Sequence, residues 1–128
     1  MTPPAQRRGF GRDQRIKHGR DFSRVREQGG RLACGCLVAN WLRLPLGSPT
    51  RLGVVAGAKV GGSVVRSRVK RLLRESFRLH QFDLNGPVDL VLVARPSIAG
   101  KPYSVVERDF LSALRRAGLL QQVQQVQL

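Results

Sequence analysis

The sequence predicts an α+β fold of two layers, in which helices cover one side of a sheet. Short apolar runs typical of strands are separated by stretches with the apolar period of a helix. The predicted order along the chain is helix, strand, strand, helix, strand, helix, which suits such a sandwich. With 128 residues, of which 41% are hydrophobic, the chain is long enough for one domain with one core.

The first part of the chain is predicted to contain a basic arm, a short helix and two strands. Residues 1–14 combine Pro, Gly and Arg, which indicates a flexible arm. A helix is expected over residues 20–28, followed by two glycines that end it. The apolar runs 36–44 and 51–58 flank a turn rich in Pro and Gly, and we expect them to pair as a hairpin.

A longer helix is predicted in the middle of the chain. It begins after Ser63, a residue type that favours the N-cap position, and extends from Val64 to about His80. Its apolar residues share one face, which we expect to pack on the sheet. That face consists of Val65, Val69, Leu72, Leu73, Ser76 and Phe77.

The C-terminal part is predicted to add one strand and a last helix. Residues 88–95 are almost continuously apolar, as in a central strand that is covered on both faces. Ser104 and Glu107 have the spacing of a capping box, which begins a helix that ends at Gly118. Residues 119–128 form a Gln-rich tail.

The balance of charges is strongly basic and indicates a polyanionic partner. The chain has 23 Lys and Arg against 8 Asp and Glu, for a formal net charge of +15. Such a surface repels itself unless a polyanion covers it, and nucleic acid is the first candidate. No segment is apolar enough for a membrane span or a secretory signal, so we expect a cytoplasmic protein with no membrane partner.

Basic residues recur every four positions along the middle helix and form a stripe on one side of it. The stripe consists of Arg66, Lys70, Arg74 and Arg78. Like charges at this spacing destabilise an isolated helix by roughly 0.2–0.5 kcal/mol per pair, and only Glu75 offsets them. Phosphates of RNA or DNA would compensate this repulsion, whereas a solvated basic face or a membrane-surface helix is the alternative.

The groups that cut a phosphodiester bond are not evident in the sequence. The acidic residues are scattered, and His18 and His80 are isolated, so no metal-binding or catalytic cluster is expected. The chain contains no GxxxxGK[ST] loop, which leaves ATP binding without support. Cys34 and Cys36 are expected to be reduced, partly buried thiols. The chain alone is therefore not expected to be a nuclease.

Residues 51–75 resemble the motif of bacterial ribonuclease P proteins, which has an R-x-G strand, a lysine–glycine step and an R-N-R-x-K-R-x-x-R-E helix. In this chain the stretch is RLGVVAGAKVGGSVVRSRVKRLLRE. Residues 15–17, Asp21-Phe22 and 89–95 are similar to the shorter R-L-K, D-F and D-x-V-x-x-A-R motifs of that family. The resemblance extends over residues 15–118, which we expect to form the domain, and the helix motif is its most specific part.

The resemblance implies a ribosomal-protein-like fold with a central four-stranded sheet. It also implies a left-handed β-α-β crossover, although such crossovers are right-handed in about 98% of cases. The partners implied are ribonuclease P RNA and precursor tRNA, whose 5′ leader the complex removes. The RNA would cut the bond and hold most of the Mg²⁺, while the protein alone would bind no cofactor. The oligomeric state is not predicted.

Site residues follow from the positions that match the family motifs. The basic helix and the step before it are expected to contact RNA through Arg66, Ser67, Arg68, Lys70, Arg71, Arg74, Arg78 and Lys59. The cleft that receives the single-stranded leader is expected to contain Arg15, Phe22, Val38 and Val55. An aromatic ring can stack on a base of any sequence, which suits a variable leader, whereas a plain core position is the alternative for Phe22.

Four positions depart from the family pattern. Ser67 stands where the family has Asn, so its contact must be shorter or bridged by water. Gly57 and Ala58 replace a serine and a lysine, and Arg26 stands where a second aromatic residue is common. Two other functions stay open: a ribosomal or chaperone-like RNA-binding protein, and a DNA-binding protein. The second is disfavoured because no Asn or Gln lies beside the stripe to read bases.

Overall fold

The computed structural model describes residues 14–121, which form an α+β fold with one four-stranded sheet and three helices. The helices are α1 (Gly19–Gln28), α2 (Ser63–His80) and α3 (Tyr103–Arg116). The strands are β1 (Gly30–Cys34), β2 (Leu37–Arg43), β3 (Arg51–Val55) and β4 (Val88–Ala94). Of the predicted arm and tail, the structure describes only Gln14 and residues 119–121, and the rest lies outside the described residues.

The strands have the order β1-β2-β4-β3, so β4 is central, as predicted. β1 and β2 are antiparallel neighbours, β2 and β4 are also antiparallel, and β3 runs parallel to β4. The predicted hairpin between residues 36–44 and 51–58 is therefore wrong. β4 lies between these two strands because it is apolar on both faces and is buried in the sheet.

β2 forms its hairpin with β1 instead. β1 was not predicted because it begins at Gly30, directly after Gly29, and a pair of glycines favours a turn rather than a strand. Gly30 lies in β1 opposite Trp41, and a Cβ atom on Gly30 would be 2.4 Å from the Trp41 ring. Close packing therefore requires glycine here. The turn into β2 passes through Gly35, whose φ of 58° is in the left-handed region.

Helices cover both faces of the sheet, which corrects the prediction of a sheet covered on one side. Alternate residues of β4 separate two cores: Leu90 and Leu92 belong to the larger core with α2 and α3, whereas Val91 packs with α1. Leu37 of β2 lies in the larger core and Val25 of α1 in the smaller one. The order of helices and strands along the chain could not predict these two cores, because the sequence of the short helix α1 does not indicate which face of the sheet it covers.

The predicted core face of α2 is confirmed, but the predicted caps are not. Val69, Leu73, Ser76 and Phe77 are buried, and Val65 and Leu72 are partly buried. Ser63 is the first helical residue rather than the N-cap, which is Gly62. In α3 the capping box is not formed, because Glu107 faces α2 and its carboxylate lies 2.7 Å from the His80 ring.

The packed domain extends past its predicted end at Gly118. Leu119 is buried, and its carbonyl accepts a hydrogen bond of 2.8 Å from the backbone N–H of Asn85. Leu120 forms a β-bridge with Leu84. Within residues 14–121, no helix has the length and apolar character needed to cross a membrane.

Candidate nucleic-acid interface

The sheet face that carries α1 has an apolar row that the helix leaves partly open. Val38 in β2, Val93 in β4 and Val55 in β3 are direct neighbours across three strands. Val38 is buried and Val93 is half-buried, whereas Val55 is 37% exposed. The two predicted cleft residues Val38 and Val55 thus lie in one row, and alternation in β4 adds Val93 between them. We call these three valines the open row.

Phe22 of α1 lies over the next row of the same sheet face. Its ring packs on Gly53 of β3 so closely that a Cβ atom at Gly53 would come within 2.6 Å of it. Gly53 is the direct neighbour of Val91, two residues before Val55 in β3. The missing side chain at Gly53 therefore makes room for a half-buried aromatic ring beside the open row. Such a ring can stack on an unpaired nucleobase.

Two arginines approach each other beside Phe22. Arg15 lies along the edge of β3, where the next residue, Ile16, donates a backbone hydrogen bond of 2.9 Å to the carbonyl of Leu52. Arg74 comes from α2, and Arg15, Phe22 and Arg74 line one pocket of about 90 Å³. Burial, together with the positive charge of Arg15, lowers the pKa of Arg74. An anion between the two guanidinium groups would relieve this repulsion, so the pocket suits a phosphate.

The outer face of α2 forms a separate basic surface. An open groove there is lined by Ser63, Val64, Ser67, Arg68 and Arg71. Val64 is 81% exposed, so an apolar contact is available among the cations. Arg68 donates a hydrogen bond of 3.1 Å to the carbonyl of Lys101, which links this surface to the loop before α3.

The other predicted basic residues differ in how they are partnered. Arg66 and Lys70 are half-buried, and the buried Nε of Arg66 has no hydrogen-bond partner in the part of the chain that the structure describes. Arg78 binds Glu75 with N–O distances of 2.9 and 2.6 Å, and this contact lowers the pKa of Glu75. Lys59 is exposed in a short turn after β3. The charge of Arg78 is therefore largely neutralised within the protein.

A buried ion network that periodicity does not reveal fixes α1 to the sheet. Arg51 donates hydrogen bonds of 2.9 and 2.8 Å to the fully buried Asp89, and these bonds raise the pKa of Arg51. Arg51 also lies 3.5 Å from Asp21 of α1. Asp21 precedes Phe22, so the network sets the position of the aromatic ring. Arg51 belongs to the R-x-G strand of the long motif, and Asp21 and Asp89 belong to the shorter motifs, so the motifs are the signal that could have found this network.

Two polar clusters lie on the opposite side of the sheet. His80 contacts the carboxylates of Glu107 at 2.7 Å and Asp83 at 3.3 Å, which corrects the expectation of an isolated histidine. Asp109 accepts a hydrogen bond of 3.0 Å from the backbone N–H of Cys36. Burial and the neighbouring Asp109 raise the pKa of the Cys36 thiol to about 12. Both cysteines are free and buried, more deeply than the partial burial that we expected.

The carboxylates and the histidine described here do not converge on a metal site. Among residues 14–121, no group of three or more His, Cys, Asp and Glu side chains is placed to hold a metal ion. Asp89 is bound by arginine, Glu107 contacts His80, and Asp109 accepts a backbone N–H. These residues therefore do not fit a Mg²⁺ ion.

A partly open sheet face beside a cationic helix defines a class of basic proteins whose geometry suits single-stranded polyanions. The family model described as Ribonuclease P matches residues 10–118. The chain belongs to the family of bacterial ribonuclease P protein components, which serve the 5′ maturation of tRNA.

Relatives and solved structures agree with this assignment. The ribonuclease P protein component of Clostridium acetobutylicum is 37% identical over 113 residues, which cover 85% of this chain and 92% of that protein. The component of Gluconacetobacter diazotrophicus is 36% identical and covers 84% and 94%. The Staphylococcus aureus RNase P protein structure has a TM-score of 0.77 at 25% identity, with 84% and 98% covered. The Thermotoga maritima structure has a TM-score of 0.71 at 26% identity, with 80% and 96% covered.

Proposed function

We propose that the chain is the RNA-binding subunit of a bacterial ribonuclease P, in which a catalytic RNA cuts precursor tRNA at the mature 5′ end. The outer face of α2 binds the catalytic RNA, and the open row with Phe22 receives the single-stranded 5′ leader. On this proposal the protein acts in the cytoplasm, and the β3-α2-β4 crossover has the left-handed sense expected for the family.

The position of Arg74 is the observation that carries this proposal. Arg74 belongs to the basic helix α2, yet its side chain lines the same pocket as Phe22 and Arg15. RNA bound along α2 and a strand lying on the sheet would therefore meet at this residue. The open row can accept unstacked bases while the arginines beside it accept phosphates, which suits a single strand of variable sequence.

The chain contributes binding rather than bond cleavage. Mg²⁺, when bound, supplies an activated water and stabilises the developing charge, and on this proposal the catalytic RNA holds most of it. The cations of α2 and the Arg15–Arg74 pair neutralise phosphates where the two RNA molecules approach each other. The complex should therefore need less Mg²⁺ than the RNA alone, because protein cations replace part of the counterion atmosphere.

A general RNA-binding role without selectivity for precursor tRNA is the alternative. α2 alone would support that role, since phosphate contacts carry no information about sequence or chain end. The sheet face favours the subunit role. The three valines of the open row and Phe22 form a floor on which flat, unpaired bases can lie, whereas the base faces of a duplex are stacked on one another and cannot reach that floor.

Cleavage of a precursor tRNA at low Mg²⁺ by a bacterial ribonuclease P RNA tests the proposal. The reaction is run without protein, with the wild type, and with an Arg66→Ala/Arg68→Ala/Arg71→Ala variant. The control is Arg115→Ala/Arg116→Ala, which removes two of the exposed cations at the end of α3, away from the proposed interface. Wild type and control should restore cleavage at the mature 5′ end, and the triple variant should not.

Two results would count against the proposal. If the wild type does not increase cleavage even with the RNA of its own organism, the subunit role is wrong. If the wild type binds precursor and mature tRNA equally well in the complex, the sheet face does not hold the leader. In the second case a general RNA-binding role becomes the better account.

A further inference from the structure

We propose that the RNA-binding surface of α2 continues around the end of the sheet onto α3, where four cations bind a further stretch of the catalytic RNA backbone. We call these cations the turn patch; they are Arg68, Arg95, Lys101 and Arg108. This inference rests on the proposed function and extends it, because only Arg68 is among the predicted site residues.

Hydrogen bonds place two of the four cations at the Gly35–Cys36 turn between β1 and β2. The Arg95 guanidinium donates to the carbonyl of Gly35 at 3.2 Å, and its backbone N–H donates to the carbonyl of Cys36 at 3.0 Å. Arg108 lies on the other side of the turn. Its Nε is 3.3 Å from one oxygen of Asp109, whose other oxygen accepts the backbone N–H of Cys36.

Lys101 and Arg68 connect this turn with the outer face of α2. The charge of Lys101 lies close enough to Cys36 to oppose the rise in the pKa of that thiol. The carbonyl of Lys101 accepts the hydrogen bond from Arg68, which itself lines the groove on α2 with Ser67 and Arg71. The cations therefore form one continuous surface from α2 through the loop before α3 to Arg108.

Carboxylates leave most of this charge unbalanced. Asp109 is 7% exposed, and its oxygens are occupied by Arg108 and a backbone N–H. Arg68 and Arg95 donate to carbonyl groups, which satisfy a hydrogen bond without carrying a net charge. Within residues 14–121, Lys101 forms no ion pair. Arg95, Lys101 and Arg108 are all exposed.

The other acidic residues of the α2–α3 layer are used away from the turn patch. Glu75 binds Arg78 at 2.6 Å, and Asp83 and Glu107 contact His80. The layer thus contains carboxylates that could balance cations, but none except Asp109 contacts the turn patch. A cluster of exposed like charges opposes folding unless an anion covers it, so the distribution indicates where the polyanion lies.

A phosphodiester backbone is the partner whose chemistry matches this surface. Guanidinium groups bind phosphate oxygens through paired N–H donors, and each contact releases counterions. Arg68 and Arg108 lie on α2 and α3 and Lys101 in the loop before α3, whereas Arg95 follows Val93 by two residues at the end of β4. Because three of its four cations continue the outer face of α2, the turn patch is assigned to the catalytic RNA rather than to the leader.

Lysine footprinting of the unmodified complex tests this without any variant. The lysines are Lys17, Lys59, Lys70 and Lys101. Acylation of their amines is measured by mass spectrometry with and without bacterial ribonuclease P RNA. Lys101 should be protected at least severalfold, together with Lys70. Protection of Lys70 while Lys101 reacts as in the free protein would overturn the turn patch.

The second test compares the RNA affinity of two double variants, each of which removes two positive charges. Lys101→Ala/Arg108→Ala should weaken binding of the RNA about tenfold and reduce the slope of log affinity against log salt by about one to two. Arg115→Ala/Arg116→Ala removes the same charge from α3 and should change affinity less than about twofold. Equal affinities and slopes for both variants would overturn the proposal. If the wild type itself does not bind the RNA, the proposed function fails instead.

Discussion

Arg51 of β3 holds the fully buried carboxylate of Asp89 in β4 through two hydrogen bonds of 2.9 and 2.8 Å. The two residues are direct neighbours in the parallel register of the sheet. Arg51 also lies 3.5 Å from Asp21, the residue before Phe22. The position of the aromatic ring in the candidate cleft therefore depends on a buried ion pair that links α1 to the sheet.

Removal of Arg51 should destabilise the protein strongly. In Arg51→Ala the carboxylate of Asp89 stays buried without its main partner, which should lower the free energy of unfolding by about 3–5 kcal/mol. Arg24→Ala is the control. Arg24 is 43% exposed, and its distance of 3.7 Å from Asp89 is longer than the 2.8 Å of Arg51. That change should cost less than about 1 kcal/mol. Urea unfolding measures both, and equal losses would contradict the role of the Arg51–Asp89 pair.

A methyl group at Gly53 should disturb the cleft from below. Its Cβ atom would lie 2.6 Å from the Phe22 ring, so Gly53→Ala must displace the ring. The complex should then lose roughly tenfold in its preference for precursor over mature tRNA, since stacking is worth about 1–3 kcal/mol. Gly57→Ala is the control, because a Cβ atom there meets nothing within 4 Å. Unchanged preference in Gly53→Ala would show that Phe22 does not contact the leader.

Arg74→Gln should weaken the binding of precursor tRNA without destabilising the protein. Burial and the charge of Arg15 disfavour the charged form of Arg74, and both lower its pKa. The neutral side chain should leave the free energy of unfolding unchanged or raise it by a few tenths of a kcal/mol. Affinity of the complex for precursor tRNA should nevertheless fall severalfold, because one phosphate contact is lost. A variant that is both less stable and fully active would contradict this assignment.

The Cys36 thiol should make stability depend on pH in the alkaline range. Burial and Asp109 raise its pKa in the folded state from 9.0 to about 12. The contribution of this group is therefore fully present below pH 9.0 and is lost as the pH rises through about 12. The free energy of unfolding of the wild type should decline over that window more steeply than that of Cys36→Ala. Parallel profiles from urea unfolding would contradict the assigned environment.

The regular elements could be predicted because each contains its own periodic pattern. The apolar residues Val69, Leu73 and Phe77 recur at helical spacing and identify α2 and its buried face. The apolar run over residues 88–95 identifies the central strand. Neither prediction needs information about distant residues. α1 was located in the same way, but the face of the sheet it covers depends on contacts of Phe22 and Val25 with strands far along the chain.

The errors arise where packing between distant residues decides the structure. Gly30 belongs to β1 because the Trp41 ring occupies the space of its side chain, and no local pattern shows this. The predicted hairpin failed because β4 enters between two strands that are neighbours in sequence. In the candidate site, the family resemblance pointed to Phe22, Val38 and Val55, whose role in the cleft stays a prediction, whereas Arg51 and Asp89 were found only through their contact in the folded chain.

Photocrosslinking from the open row tests the central claim most directly. A benzophenone amino acid replaces Val55, which is 37% exposed in the cleft, or Leu46, which is 90% exposed in the turn between β2 and β3. In complex with ribonuclease P RNA and precursor tRNA, the probe at position 55 should crosslink to the 5′ leader, and the crosslink should vanish with mature tRNA. Equal crosslinking from position 46, or none from position 55 in an active complex, would contradict the claim that this sheet face holds the leader.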